Sequence, residues 1–161
     1  MRIRDRFEVG DVGALARLHG ELYASEYGYG VPFEAYCARG IAEIALAFYA
    51  AHDRVWLCDD DGGALAGSLI LLHRGEGCAQ LRFFLLAPAL RGQGLGKRLM
   101  AEYMAALAAF GYTRSYLWTT DDLDAAASLY LRHGFALTES ARSTRFGKPL
   151  VEQRYELTRD R

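Results

Sequence analysis

The stretch Arg91-Gly92-Gln93-Gly94-Leu95-Gly96 constrains this chain more than any other. It stands between an apolar run, Leu81 to Ala87, and a helix-forming run, Lys97 to Phe110. Strand, glycine loop and helix in that order leave backbone N–H groups bare at the helix start. The aligned peptide dipoles add partial positive charge there. Glycine matters because a bulky anion reaches main-chain amides only where no Cβ stands in the way. Lys97 and Arg98 follow at once and bring further positive charge. The loop reads as a diphosphate site built from Arg91, Gly92, Gln93, Gly94, Leu95, Gly96 and Lys97, against the plainer reading of a glycine-capped turn. Spacing excludes two phosphate motifs. No Gly-Lys-Ser/Thr closes the loop, and Gly92-Gln93-Gly94-Leu95-Gly96 lacks the Gly-x-Gly-x-x-Gly interval of a dinucleotide site.

Around the loop the segments alternate without a linker. Ile3 to Phe7 reads as a strand, and Gly10-Asp11 offers a cap for a helix carrying Leu15, Leu18, Leu22 and Tyr23. A glycine- and tyrosine-rich break, Tyr27 to Pro32, precedes a second helix expected over Phe33 to Ala51. Strands follow at Val55 to Cys58, Leu65 to His73 and Ala79 to Ala87, with Asp59-Asp60-Asp61-Gly62-Gly63 as a hairpin turn. After the loop helix come a strand at Arg114 to Thr119, a helix ending at Gly134, and strands at Phe135 to Ser140 and Leu150 to Thr158. Asp121, Asp122 and Asp124 sit where a helix cap and first turn favour acids. The whole chain, 1–161, reads as one domain, long enough to bury a sizeable core.

Composition removes several function classes. A hydrophobic content of 52% is incompatible with a disordered chain, and no apolar stretch is long enough to cross a membrane. Met1-Arg2-Ile3-Arg4-Asp5 lacks a signal-peptide run, so a cytoplasmic location is expected. Cys37, Cys58 and Cys78 are widely spaced and lack a metal-ligand pattern, so free thiols and no metal are expected. A net charge of −1 gives no reason to expect nucleic acid as a partner.

Pro88, Arg91, Gly94 and Gly96 together resemble the acetyl-coenzyme A loop of the GNAT superfamily of N-acetyltransferases. A second segment, Ala126-Ala127-Ser128-Leu129-Tyr130-Leu131-Arg132-His133-Gly134-Phe135, is similar to that family's Ala-x-x-Leu-Tyr-x-x-x-Gly-Phe signature. The resemblance implies an α/β (α+β) fold. Its central sheet is mixed and mostly antiparallel, with splayed fourth and fifth strands, and helices flank it. It further implies acetyl-coenzyme A as co-substrate, lying in the cleft with its pantetheine arm on the fourth-strand backbone at Phe83, Phe84 and Leu85. A narrower likeness runs through His19-Gly20-Glu21-Leu22-Tyr23, Leu117 to Leu123 and Phe146 to Gln153. These segments look like the acetyltransferase domains fused behind MarR-type DNA-binding domains. The DNA-binding part has no counterpart here and is not carried over.

The chemistry so implied is direct attack by an amine on a thioester, with neither a metal nor a covalent enzyme intermediate. Tyr130 falls where the family places the acid that protonates the departing thiolate, and a phenol of ordinary pKa about 10 holds its proton at neutral pH. An asparagine common in the family is Leu123 here, flanked by Asp122 and Asp124. No acid occurs between Gln80 and Leu86, which leaves Glu26, Glu21 or an ordered water to take the amine proton. Glu26 is the residue expected on the acceptor side. His19, Tyr23, Tyr27 and Tyr29 are candidates either for an acceptor pocket with an adaptable wall or for an aromatic packing cluster. The acceptor is expected to be a small-molecule or peptide amine, and a homodimer is compatible with the resemblance. A sensor that binds acetyl-coenzyme A without turnover is the alternative.

Overall fold

Residues 1–160 are described by a computed structural model. A strand β1 (Arg2–Arg4) leads into helices α1 (Asp11–Tyr27) and α2 (Val31–Ala47). Strands β2 (Arg54–Asp59), β3 (Leu65–His73) and β4 (Cys78–Leu86) then run to α3 (Leu95–Ala109). The chain finishes with β5 (Arg114–Thr120), α4 (Asp124–Arg132), β6 (Ala136–Ser143) and β7 (Leu150–Thr158). The expected order of elements is present, and the strands form one sheet, β1-β2-β3-β4-β5-β7-β6. Every neighbouring pair is antiparallel except β4 with β5. Among the described residues no helix is long and apolar enough to cross a membrane.

The sheet has a core on each face. Leu99, Met100, Tyr103 and Leu107 of α3 pack with Leu117, Tyr130 and Phe135 on one side. Leu15, Phe33 and Ile41 of α1 and α2 pack on Val55, Leu57 and Ile70 on the other. Residues of β2 alternate between these cores, with Trp56 and Cys58 on the first and Val55 and Leu57 on the second. A strand covered on both faces carries a continuous apolar run, which is why Val55 to Cys58 is legible as a strand.

Several ends differ from expectation, most of them because of a buried aspartate. Asp11 does not cap α1 with its own carboxylate; together with Asp59 it brackets the buried Arg4 guanidinium, at 2.7 Å and 2.8 Å. That cluster stops β1 at Arg4 rather than Phe7. Helix α2 starts two residues early, since Pro32 needs no donor in a first turn, and ends at Ala47 instead of Ala51. Buried Asp53 takes the N–H groups of Tyr49 and His73, both at 2.9 Å, and so folds Tyr49 to Asp53 into a turn against β3.

The feature that positions the site is the parting of β4 from β5. They pair only at Cys78–Arg114, Ala79–Ser115 and Gln80–Tyr116, after which the edge of β4 facing β5 is unpaired. Across β3, Ser68 faces Leu85 and Ile70 faces Arg82, so Phe83 and Phe84 together oppose Leu69. This bulge puts Phe83 at φ +49°, a conformation unusual outside glycine. Bulges bend and twist a strand, and here the bend falls where β4 leaves its partner.

Candidate active site

The loop Arg91–Gly94 lies between a single 3-10 turn, Pro88–Leu90, and the start of α3. Arg91 Nε donates to Leu86 O at 2.8 Å and Gln93 Nε2 to Ala89 O at 3.0 Å, so two long side chains brace the loop from below. Gly92 and Gly94 have φ of +74° and +78°, and nothing stands within 4 Å of where a Cβ would project from either. No side chain caps α3. The first-turn amides therefore face open space, the condition an anion needs to reach them. Leu95 is buried and offers only its backbone, whereas Gly96 lies over Leu86, Phe84 and Leu129 with room for a methyl at 3.7 Å or more. Gly96 thus serves packing between α3 and the cleft wall.

Between the parted strands opens a cavity of about 120 Å³. Phe83 and Phe84 point to opposite sides of the bulge. Phe83 meets the His19 ring edge-on, 5.3 Å between centroids, and Phe84 packs near Tyr130. The Phe83 carbonyl is taken by Ser68 Oγ, and Leu85 is buried, so only the outer backbone edge of this segment faces the cleft.

Tyr130 projects from α4 into the cavity and is only 4% exposed. Its hydroxyl has no hydrogen-bond partner among the described residues. The fully enclosed polar side-chain atoms without a hydrogen bond are Arg154 Nε and Asp122 Oδ2, the latter ion-paired to Lys148; the Tyr130 oxygen is not one of them and so still touches the open space. Burial pushes the phenol well above its ordinary pKa. His19 lines the same cavity. Its Nδ1–H donates to Leu15 O at 2.9 Å, which fixes the tautomer and leaves the Nε2 lone pair free. Burial pushes the imidazole down to about 4, so it is neutral at physiological pH.

The acidic candidates sit elsewhere. Glu26 forms a two-pronged pair with Arg91, at 2.9 Å and 3.1 Å, and so joins the end of α1 to the glycine loop instead of facing the cavity. Glu21 is exposed and paired with Arg17. The one carboxylate in the cavity wall is Glu152, held by Arg145. Glu152, Arg82 and Arg145 are wall residues that the sequence reading did not select. The alternation of Gln80, Leu81 and Arg82 along β4 was the available signal for Arg82, since it places both polar side chains on one face.

Asp124 lies in the first turn of α4 as expected, but Asp121 and Asp122 do not cap it. The capping position is Leu123, without a side-chain bond, and Asp121 accepts from the Val151 N–H. Asp122 accepts from Tyr29 Oη and Thr120 Oγ1, both at 2.8 Å, and lies 3.0 Å from Lys148 Nζ. Burial alone would raise this carboxyl, but those donors hold it below the usual carboxylate range. Lys148 also donates to Tyr27 O, and the Gly30 N–H donates to Phe146 O. The Tyr27–Gly30 stretch is consequently a strapped wall, not the mobile one expected. The rings do form a packing cluster, with Tyr23, Tyr29 and Phe33 at centroid distances of 4.6 to 5.2 Å; His19, Tyr23 and Tyr29 also line the cavity, whereas Tyr27 does not.

Replacing Asp122 by Ala should therefore cost about 2 kcal/mol, the worth of a few charge-assisted bonds less what water regains. For a domain of this size that lowers the melting temperature by roughly 4–8 °C. An unchanged melting curve would show that the strap contributes nothing.

Comparison with known proteins adds an independent line. The model of the acetyltransferase (GNAT) family matches residues 20–135. No curated protein sequence matches the chain. Among solved structures, a GNAT-family acetyltransferase from Staphylococcus aureus Mu50 superposes with a TM-score of 0.80 at 15% identity, covering 99% of this chain and 100% of its own. One from Streptococcus pneumoniae gives 0.69 at 18% identity, covering 98% of each chain. A mutant of the spermidine N-acetyltransferase of Vibrio cholerae gives 0.67 at 16% identity, covering 98% of this chain and 95% of its own. At these identities the structures speak for the fold.

Proposed function

The chain belongs to the acetyltransferase (GNAT) family, and we propose that it transfers an acetyl group from acetyl-coenzyme A to a primary amine by direct attack in a ternary complex. The observation that carries this reading is convergence. An unpaired strand edge and an unpartnered buried phenol border one cavity, and the open glycine loop adjoins it where Gly96 lies over Phe84 and Leu129. The loop amides of Gly92 to Gly96, with Arg91 and Lys97, suit a diphosphate. The outer edge of Phe83 to Leu85 suits the amides of a pantetheine arm. When bound, acetyl-coenzyme A supplies an activated thioester carbonyl in that cleft.

The chain's residues then divide the work. Tyr130 holds the proton that the departing sulfur requires, and its raised pKa keeps it protonated until then. His19 Nε2 accepts a hydrogen bond from the attacking amine and so aims the nitrogen lone pair at the carbonyl. As the new C–N bond forms, the amine proton leaves through water in the cavity. Glu26 stands outside the cavity and offsets the charge of Arg91, which Leu86 O also anchors. The test is thiol release from acetyl-coenzyme A across a broad amine panel. Tight cofactor binding with no amine-dependent release would mark a sensor instead.

Glu26→Gln separates the two roles open to that residue. Its carboxylate lies beside the proposed diphosphate loop and neutralises Arg91, so removing the charge should tighten acetyl-coenzyme A binding by about two- to fivefold, the scale of one surface ion pair. Acceptor KM should stay within twofold. A raised acceptor KM with unaltered cofactor affinity, measured by steady-state kinetics and calorimetry, would return Glu26 to the acceptor side.

A further inference from the structure

The outer part of the cavity wall is positively charged. Two guanidinium groups, Arg82 and Arg145, face the same space as one carboxylate, Glu152. Glu152 is already engaged by Arg145 through a two-pronged contact, 2.9 Å at Nε. Arg82 has no carboxylate partner among the described residues. Its one side-chain hydrogen bond runs to Tyr36 Oη at 3.2 Å, and its guanidinium lies 4.6 Å from the Phe83 ring centre and 5.7 Å from that of Tyr36. Stacking on aromatic faces holds a guanidinium flat without neutralising it and leaves edge N–H groups for a planar anion.

The protein makes room for this arrangement. Gly40 of α2 faces Arg82, and a Cβ there would stand 2.9 Å from Arg82 Nη2 and 3.1 Å from Phe83 Cζ. A bare helix face at that point lets the unpaired cation lie between α2 and β4. Arg145 is stacked in the same manner, 5.0 Å from the Tyr36 ring and 4.6 Å from that of Phe146. Tyr36 thus lies within cation–π reach of both arginines.

We propose that the acceptor is a primary amine that also bears a carboxylate, and that Arg82, with Arg145 beside it, binds that carboxylate while the amine reaches inward to His19 and the thioester. This rests on the acetyl-transfer reading above and names its substrate class. A polyamine fits poorly, because its second ammonium would meet guanidinium groups and no free acid. The same charges favour the reaction, since nearby cations disfavour an ammonium and promote the neutral amine that attacks. The neutral His19 adds no competing charge.

The experiment compares the common L-amino acids, their primary amides and spermidine as acceptors, in the wild-type protein, Arg82→Met and Arg82→Lys. Thiol release gives kcat/KM, and calorimetry on the acetyl-coenzyme A-loaded protein gives acceptor affinity. At least one free amino acid is expected to exceed its own amide by tenfold or more in wild type. Arg82→Met should reduce kcat/KM for the acid at least ten times more than for the amide, with the charge-preserving Arg82→Lys in between. Preference for amides or spermidine, equal losses on all acceptors, or no binding of any amino acid would overturn the proposal. An amino acid that binds in an Arg82-dependent way without thiol release would leave the anion site standing and would refute acetyl transfer. Acetyl-coenzyme A affinity of each variant serves as the control for folding.

Discussion

Tyr130→Phe is expected to lower kcat by about 10²–10⁴-fold while acetyl-coenzyme A affinity stays nearly constant, the range typical of losing a general acid. The substitution isolates the hydroxyl. Phe keeps the ring that packs against Phe84, Phe135 and Tyr155, at centroid distances of 6.5, 6.1 and 6.1 Å. The hydroxyl has no hydrogen-bond partner among the described residues, so its removal orphans no other group there and the melting temperature should hardly move. Lost activity then reports chemistry, not folding. The pH profile offers a second check. A phenol whose pKa is raised by burial stays protonated below that raised value. The wild-type kcat should accordingly show no alkaline fall attributable to Tyr130 between about pH 7 and 10, around the ordinary phenol pKa. Full kcat in the Phe variant would reduce Tyr130 to a packing residue and would leave the thiolate to be protonated by water.

What could be read in advance follows the range of the interactions involved. The glycine loop, the run of alternating elements and the Tyr130 helix are local patterns, set by spacing within one turn or one strand. The structure places all of them as expected. The acceptor wall is built differently. Tyr29 reaches Thr120 and Asp122 across more than ninety residues of sequence, and Arg91 reaches Glu26 across 65. No periodicity announces such pairs. Asp121 and Asp122 looked like caps because that is the local use of acids before a helix, yet tertiary donors from Val151, Tyr29 and Thr120 took them. The bulge at Phe83 was hidden for a related reason. A non-glycine residue at positive φ leaves no compositional mark, and its cost is met by Ser68 Oγ and by packing against His19. Glu26 illustrates the consequence for function. Its position near the end of α1 was read correctly, but its direction depended on Arg91, which lies on another element.

Gly94→Val should weaken acetyl-coenzyme A binding by about a hundredfold or more in a protein that still folds. Two effects act together. At φ +78° a β-branched side chain is strained, by about 1–3 kcal/mol, and the loop relieves that strain by turning its peptide groups. Turning them removes the amides from the direction of the diphosphate. Loss of two charge-assisted hydrogen bonds, at about 1.5–3 kcal/mol each, by itself corresponds to a hundredfold or more. The valine side chain also enters the open space above the loop, which contains no protein atom within 4 Å of the Cβ position. That openness is why the fold should survive: nothing in the core lies against Gly94, and Leu95 still anchors the start of α3. A Gly96→Ala variant makes the matched control. Its methyl fits at 3.7 Å from Leu86, so cofactor affinity should drop far less, within about fivefold, although Gly96 stands only two residues away. Equal affinity of Gly94→Val and wild type by calorimetry would mean that the diphosphate does not lie on this loop. The assignment of the cofactor-binding end of the cleft would then fall with it.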